Sequence, residues 1–165
     1  MQQLTPVADD VRWVADTNLH WTLQFLGDVE TLEIPAVCNA VNQAVREMPA
    51  FELEVRGAGA FPAADRPRTL WLGAGTGAQS MVALQAGIQR QLDRLGHRGE
   101  SRRFVPHLTL GRTSGKSPRS LVRELASLSD YDAGAMIVGE VTVFSSRLQA
   151  EGPVYDVLAH AQLAG

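Results

Sequence analysis

Two four-residue stretches, His20-Trp21-Thr22-Leu23 and His107-Leu108-Thr109-Leu110, share the pattern H-x-T-L, and each opens a similar run of elements. Only four histidines occur in the chain, so two of them at matched points of one pattern mark an internal duplication. Measured from His20, a helix begins near +12 and two strands near +31 and +48; measured from His107 the same elements begin near +11, +28 and +47. A chain built this way is constrained to two similar strand–helix–strand–strand units joined by one more helix.

The periodicities supply the elements. Alternation predicts a strand over Leu19–Gly27, with Leu19, Trp21, Leu23 and Phe25 on one face. Ile34, Val37, Cys38, Val41, Val45 and Met48 recur at helical spacing, and Pro49 stops that helix. Phe51–Ala58 and Arg68–Gly73 read as a hairpin whose loop holds Pro62, Asp65 and Pro67. Met81, Leu84, Ile88, Leu92 and Leu95 make a linking helix that ends at Gly96. The second unit repeats the scheme with a strand over Pro106–Gly111 and a helix opened by Pro118 that carries Leu121, Val122, Leu125 and Leu128. Strands over Ala135–Phe144 and Val154–Ala161 then close it, joined by a turn with Gly152 and Pro153. This is one α+β domain over residues 1–165, with lobe 1 at about 11–75, a linking helix at about 78–96 and lobe 2 at about 104–163.

With 165 residues, 45% of them hydrophobic, the chain can bury a core without staples. A domain of this size hides about 68–70% of its unfolded surface. The single cysteine, Cys38, precludes an internal disulfide and fits a reducing compartment, so a cytoplasmic location is expected. No run of 18 apolar residues exists, and Met1–Pro6 has neither a charged nor an apolar leader region, so neither a membrane span nor a signal peptide is expected. The net charge of −3 argues against a general nucleic-acid binder, yet the window Arg90–Arg123 is +7 and the remainder −10. Arginine supplies 14 of the 15 basic residues, and its planar fork suits phosphate. A solvated helix face explains that window equally well.

On a strand, residues i and i+2 share a face, so each motif projects an imidazole beside a hydroxyl while Trp21 or Leu108 points into the core. Two pseudo-symmetric lobes would set His20 and His107 across a cleft. Two opposed histidines are the parts for general acid and base work near neutral pH. In-line displacement at a phosphodiester needs that pair, with Thr22 and Thr109 as hydroxyl donors to the non-bridging oxygens. A strand histidine by itself is more often structural; the duplication is what favours function. Zinc is the rival chemistry, but two histidines without a third ligand or a cysteine cluster make a poor site, so no metal or other cofactor is expected. Nucleophile-elbow, P-loop and dinucleotide-binding patterns are absent. Arg112 could add charge to a phosphate, but strict alternation puts it on the face opposite His107 unless Gly111 bends the strand end. His97 in the basic loop and His160 at a strand end have no motif context. Phe61 and Phe144 sit in corresponding hairpins, where core packing is the first reading and base stacking by Phe61 the second.

The stretches His20-Trp21-Thr22-Leu23-Gln24-Phe25-Leu26-Gly27 and Pro106-His107-Leu108-Thr109-Leu110-Gly111-Arg112 resemble the two signatures of the 2H phosphoesterases, nearest the LigT-like RNA 2′,3′-cyclic phosphodiesterases. Gly59-Ala60-Phe61-Pro62, Arg68–Gly73, Phe144–Leu148 and Gly152–Tyr155 are similar to the hairpins of that branch. The resemblance implies two pseudo-symmetric lobes of mainly antiparallel sheet with outer helices, and a chain that begins after the family's first strand. It also implies metal-independent opening of a terminal 2′,3′-cyclic phosphate to a 2′-phosphomonoester. In that scheme His107 is the proton acceptor, His20 the proton donor, Thr22, Thr109 and Arg112 hold the phosphate, and Leu23 and Leu110 complete the motifs. RNA 3′ ends or nucleoside 2′,3′-cyclic phosphates are the implied partners of a monomer. Two alternatives stay open: a non-catalytic RNA- or nucleotide-binding module using the same cleft, and turnover of other small cyclic phosphates or 2′-5′ linked oligonucleotides.

Overall fold

The computed structural model describes residues 11–99, 102–113, 119–149 and 152–165. Met1 to Asp10, Glu100, Lys116 and Pro118, which carry part of the sequence pattern above, lie outside the described residues. In chain order the elements are β1 (Arg12–Trp13), a 3₁₀ turn (Asp16–Asn18), α1 (Ile34–Val45), β2 (Phe51–Phe61), β3 (Thr69–Ala74), α2 (Ala78–Asp93) and β4 (His107–Arg112). They continue with α3 (Arg119–Ser127), β5 (Asp132–Val138), β6 (Glu140–Gln149) and β7 (Gly152–Gln162). The architecture is α+β, with antiparallel pairing throughout the strand registers and helices packed outside. No helix among the described residues is long and apolar enough to cross a membrane.

Contacts divide the chain into two compact units, each drawn from three chain segments: 1–22, 53–78 and 106–136 in one, 23–52, 79–105 and 137–165 in the other. The units therefore do not follow the halves expected from chain order. Both motif histidines fall in the first unit. There a five-stranded sheet runs β1-β4-β3-β2-β5, while β6 and β7 form a sheet of their own in the second. The single strand expected over Ala135–Phe144 is divided between these sheets. Gly139 lies at the break, outside both strands.

In the first unit one face of the sheet builds the core. Leu70 and Leu110 pack with Val11 and with Leu121 and Leu125 of α3, and Trp13, Leu19, Ala58, Ala60, Leu72 and Leu128 close around them. The i, i+4 spacing of Leu121 and Leu125 gives α3 the stripe that covers this face. In the second unit α1 packs on β6 and β7. Its buried stripe is Val37, Ala40, Val41 and Val45, and that of α2 includes Met81, Leu84, Ile88 and Leu92. Helix α1 ends at Val45, short of the proline that was expected to stop it.

β2 carries a register irregularity between Val55 and Ala58. Gly57 there has φ +77°, and a Cβ on it would come within 2.7 Å of the Ser129 carbonyl oxygen. Beside it Arg56 forks onto Asp130 at 2.7 and 2.9 Å and reaches Glu54 at 2.9 Å. Glu54 accepts further hydrogen bonds from the Thr76 backbone N–H and hydroxyl. The Thr76 amide and then Arg56 hold the Glu54 carboxyl below the usual carboxylate range, and Arg56 does the same to Asp130. Both carboxyls bind protons less readily folded than unfolded, so this contribution is complete near neutrality and is lost as pH falls through and below that range. Arg56→Gln is expected to lower the urea midpoint at neutral pH and to converge with the parent near pH 3. A gap of the same size at both pH values would assign the loss to packing instead of charge.

Candidate active site

Strand β4 is the spine of the site. Leu108 forms an isolated antiparallel bridge with Trp21. That pairing sets His20 across from Thr109 and Thr22 across from His107, all four on the face that Trp21 and Leu108 leave. The two histidines are then diagonal neighbours, about 7–8 Å apart along the backbone and less between side chains. Both motifs therefore lie side by side within one unit.

The strand expected over Leu19–Gly27 reduces to this one bridge. Opposite Thr22, β4 has reached its first residue; before it stands Pro106, which has no N–H to continue a ladder. Leu23 accordingly lies past the pairing and in the other unit. Leu110, its counterpart, is 4% exposed in the core.

A β-bulge brings Arg112 to the site. Register with β3 runs Gly73↔His107, Leu72↔Leu108 and Trp71↔Thr109, then Leu70↔Gly111 and Thr69↔Arg112, so Leu110 is an extra residue. The insertion flips the alternation, and Arg112 emerges on the same face as His107 and Thr109. The extra residue, not a bend at Gly111, supplies this flip; Gly111 allows close packing, since a Cβ there would press on Val11 and Trp13.

His20 is fixed by its own turn. Its Nδ1 lies 2.8 Å from the Asn18 carbonyl oxygen. A carbonyl only accepts, so Nδ1 carries a proton and donates, leaving Nε2 to exchange a proton with a ligand. His107 is braced differently: the Phe61 ring meets it edge-on, with centroids 5.0 Å apart at 88°. Phe61 also packs on Trp71 at 5.0 Å. A Cβ on Gly59 would overlap the Trp71 ring, and one on Gly73 would sit 3.3 Å from it, so two glycines make room for that indole beside β4. Its Nε1 is buried with no acceptor among the described residues.

His20, Thr22, His107, Thr109 and Arg112 thus share one face, with Phe61 against His107. The remaining histidines belong to the second unit. The His97 carbonyl receives a 3.3 Å bond from Gln24, and His160 lies 3.3 Å from the Thr142 hydroxyl and 3.4 Å from Glu140. Phe144 packs on Tyr155 in the separate β6–β7 hairpin. Reading residue types missed Trp71 and also Arg12, which is the direct cross-strand partner of Arg112. Arg12 stood in the stretch before the first motif, but only the strand register could have revealed its neighbour.

A sheet with two imidazoles, two hydroxyls and an arginine on one face, and its core on the other, has the proton carriers and donors that acid–base chemistry on an anionic ester requires. The family model of the 2′-5′ RNA ligase superfamily matches residues 1–149, and the chain belongs to that superfamily. It is 37% identical over 146 residues to the RNA 2′,3′-cyclic phosphodiesterase of Methanothermobacter thermautotrophicus, covering 88% of this chain and 78% of that one. To the protein of the same name from Aeropyrum pernix it is 34% identical over 155 residues, covering 93% and 87%. The crystal structure of TT0787 of Thermus thermophilus superposes with a TM-score of 0.83 at 27% identity, covering 99% of this chain and 87% of that one. That of E. coli LigT complexed with 3′-AMP gives 0.75 at 27% identity, covering 96% and 84%.

The Asn18 bond yields a direct test. In the neutral protein, long-range ¹H–¹⁵N spectra should show His20 as the Nδ1–H tautomer. An Nε2–H tautomer would contradict the hydrogen bond that orients this ring.

Proposed function

We propose that the protein is an RNA 2′,3′-cyclic phosphodiesterase that hydrolyses a terminal cyclic phosphate to a 2′-phosphomonoester by acid–base catalysis between His107 and His20. The observation that carries this reading is the Trp21–Leu108 pairing, which puts both imidazoles beside both threonines on one sheet face. The names of the relatives support it.

In the proposed reaction His107 takes a proton from water as the water oxygen bonds to phosphorus. The P–O3′ bond breaks, and His20 delivers its Nε2 proton to the departing O3′. Turnover leaves His107 protonated and His20 neutral, and exchange with solvent resets the pair. Thr22 and Thr109 donate hydroxyl hydrogen bonds to the non-bridging oxygens, and Arg112 adds positive charge as the phosphorane forms. Phe61 holds the His107 ring in place by its perpendicular contact. Among the described residues no group of three or more His, Cys, Asp or Glu is placed to hold a metal ion. The reading takes residues 1–165 as one catalytic domain, a cytoplasmic monomer acting on RNA 3′ ends.

Adenosine 2′,3′-cyclic phosphate in excess EDTA provides the assay. His20→Ala and His107→Ala are each expected to lower kcat/KM by roughly 10²–10⁴-fold. Thr22→Val and Thr109→Val should lower it by about 10²-fold, the scale of one lost transition-state donor. The parent should show a bell-shaped pH dependence, because the reaction needs one imidazole neutral and the other protonated. Parental rates in either histidine variant would overturn the assignment, and loss of turnover in chelator would overturn the metal-free mechanism.

A further inference from the structure

The catalytic face does not end at Arg112. Beyond it, on β1, the outermost strand among the described residues, Arg12 is the direct cross-strand partner of Arg112. The two arginines therefore project from the same face as His107 and Thr109, and both are exposed. Like charges placed directly opposite one another are unfavourable in a sheet. Neither arginine is paired with a carboxylate among the described residues, although Arg56 and Arg147 both are. Edge protection needs only one charge and no particular face, so it does not account for a matched pair beside the motif residues. An anion lying between the two forks would turn the repulsion into attraction, and planar guanidinium groups suit a phosphate.

The spacing selects which phosphate. Thr109 and Arg112 face Trp71 and Thr69, two residues apart on β3. That is a step of about 7 Å along the sheet, one nucleotide step of an extended strand. We infer that Arg12, with Arg112, forms a second anion subsite that binds the phosphodiester one nucleotide upstream of the cyclic phosphate. This rests on the reading of His20, Thr22, His107 and Thr109 as the cyclic-phosphate site and deepens it: the preferred substrate is an RNA end, not a mononucleotide. Arg112 borders both phosphates and Arg12 touches only the upstream one. Arg12 is thus a specificity residue and takes no part in proton transfer.

Binding of the products separates this inference from the catalytic reading, because binding needs no turnover. Adenosine 2′-phosphate, the dinucleotide ApA ending in a 2′-phosphate, and that dinucleotide with an uncharged methylphosphonate linkage are titrated calorimetrically into the parent and Arg12→Gln. The parent is expected to bind the natural dinucleotide at least tenfold more tightly than either of the other two ligands. Arg12→Gln should erase that advantage while leaving adenosine 2′-phosphate affinity unchanged. The slope of log K against log salt for the dinucleotide should also fall by about 0.7, the value for one phosphate contact on a single strand. Arg12→Gln removes a repulsion and should leave the melting temperature equal or higher. Equal weakening of all three ligands would move Arg12 into the clamp on the terminal phosphate and overturn the inference. A methylphosphonate dinucleotide bound as tightly as the natural one would overturn it in favour of base contacts. Turnover of adenosine 2′,3′-cyclic phosphate, measured on the same samples, tests the catalytic reading alone, since that substrate has no upstream phosphate.

Discussion

Everything at the site depends on β4 having two unlike faces. Leu110 leaves one of them for the core with Leu70, Leu121 and Leu125, and His107 and Thr109 leave the other. The apolar face anchors the strand, so the polar face inherits a rigid backbone without needing contacts of its own. The Trp21–Leu108 bridge then adds the second motif to the same frame. A one-residue slip of either strand would turn its imidazole and hydroxyl into the core and its apolar residues outward. The hydrophobic burial of Leu19 and Leu110 is what opposes that slip.

The histidines, the threonines and the duplicated order of elements were legible because they depend on local pattern: i, i+2 alternation and 3.6 periodicity. What was not legible depends on pairing between distant segments. Alternation alone put Arg112 on the wrong face, because the bulge that reverses it is visible only as a mismatch between β3 and β4. The strand expected after Leu19 has the right alternation but runs out of partner at His107. The partition of Ala135–Phe144 between two sheets is likewise a choice of neighbours, and Arg12 gained a meaning only when its partner proved to be another arginine. Chain order suggested one motif per lobe, whereas interleaved segments gather both motifs into a single unit.

The surroundings of His107 show how the same sheet makes space. Its cross-strand partner is Gly73, and Gly59 lies opposite Trp71, so an indole can occupy a region where two side chains would otherwise stand. Trp71 and Phe61 then form an aromatic wall against the imidazole. Such a wall restricts ring rotation and lowers the local dielectric, which strengthens hydrogen bonds formed on that face. His20 receives its orientation from a backbone carbonyl instead. Each imidazole is thus held by a residue outside its own motif.

Stability and function pull apart along this face. A sheet edge selected for stability alone would alternate signs across strands or pair each arginine with a carboxylate, as β2 does where Arg56 meets Glu54 and Asp130. At Arg12 and Arg112 the chain instead sets equal charges opposite each other, and on β3 it places glycine where a β-branched residue would favour the strand. Both departures lie on the polar face and neither on the core face. The core face, with α3 packed across it, carries the apolar burial of this unit, so the other face is left to polar and charged side chains.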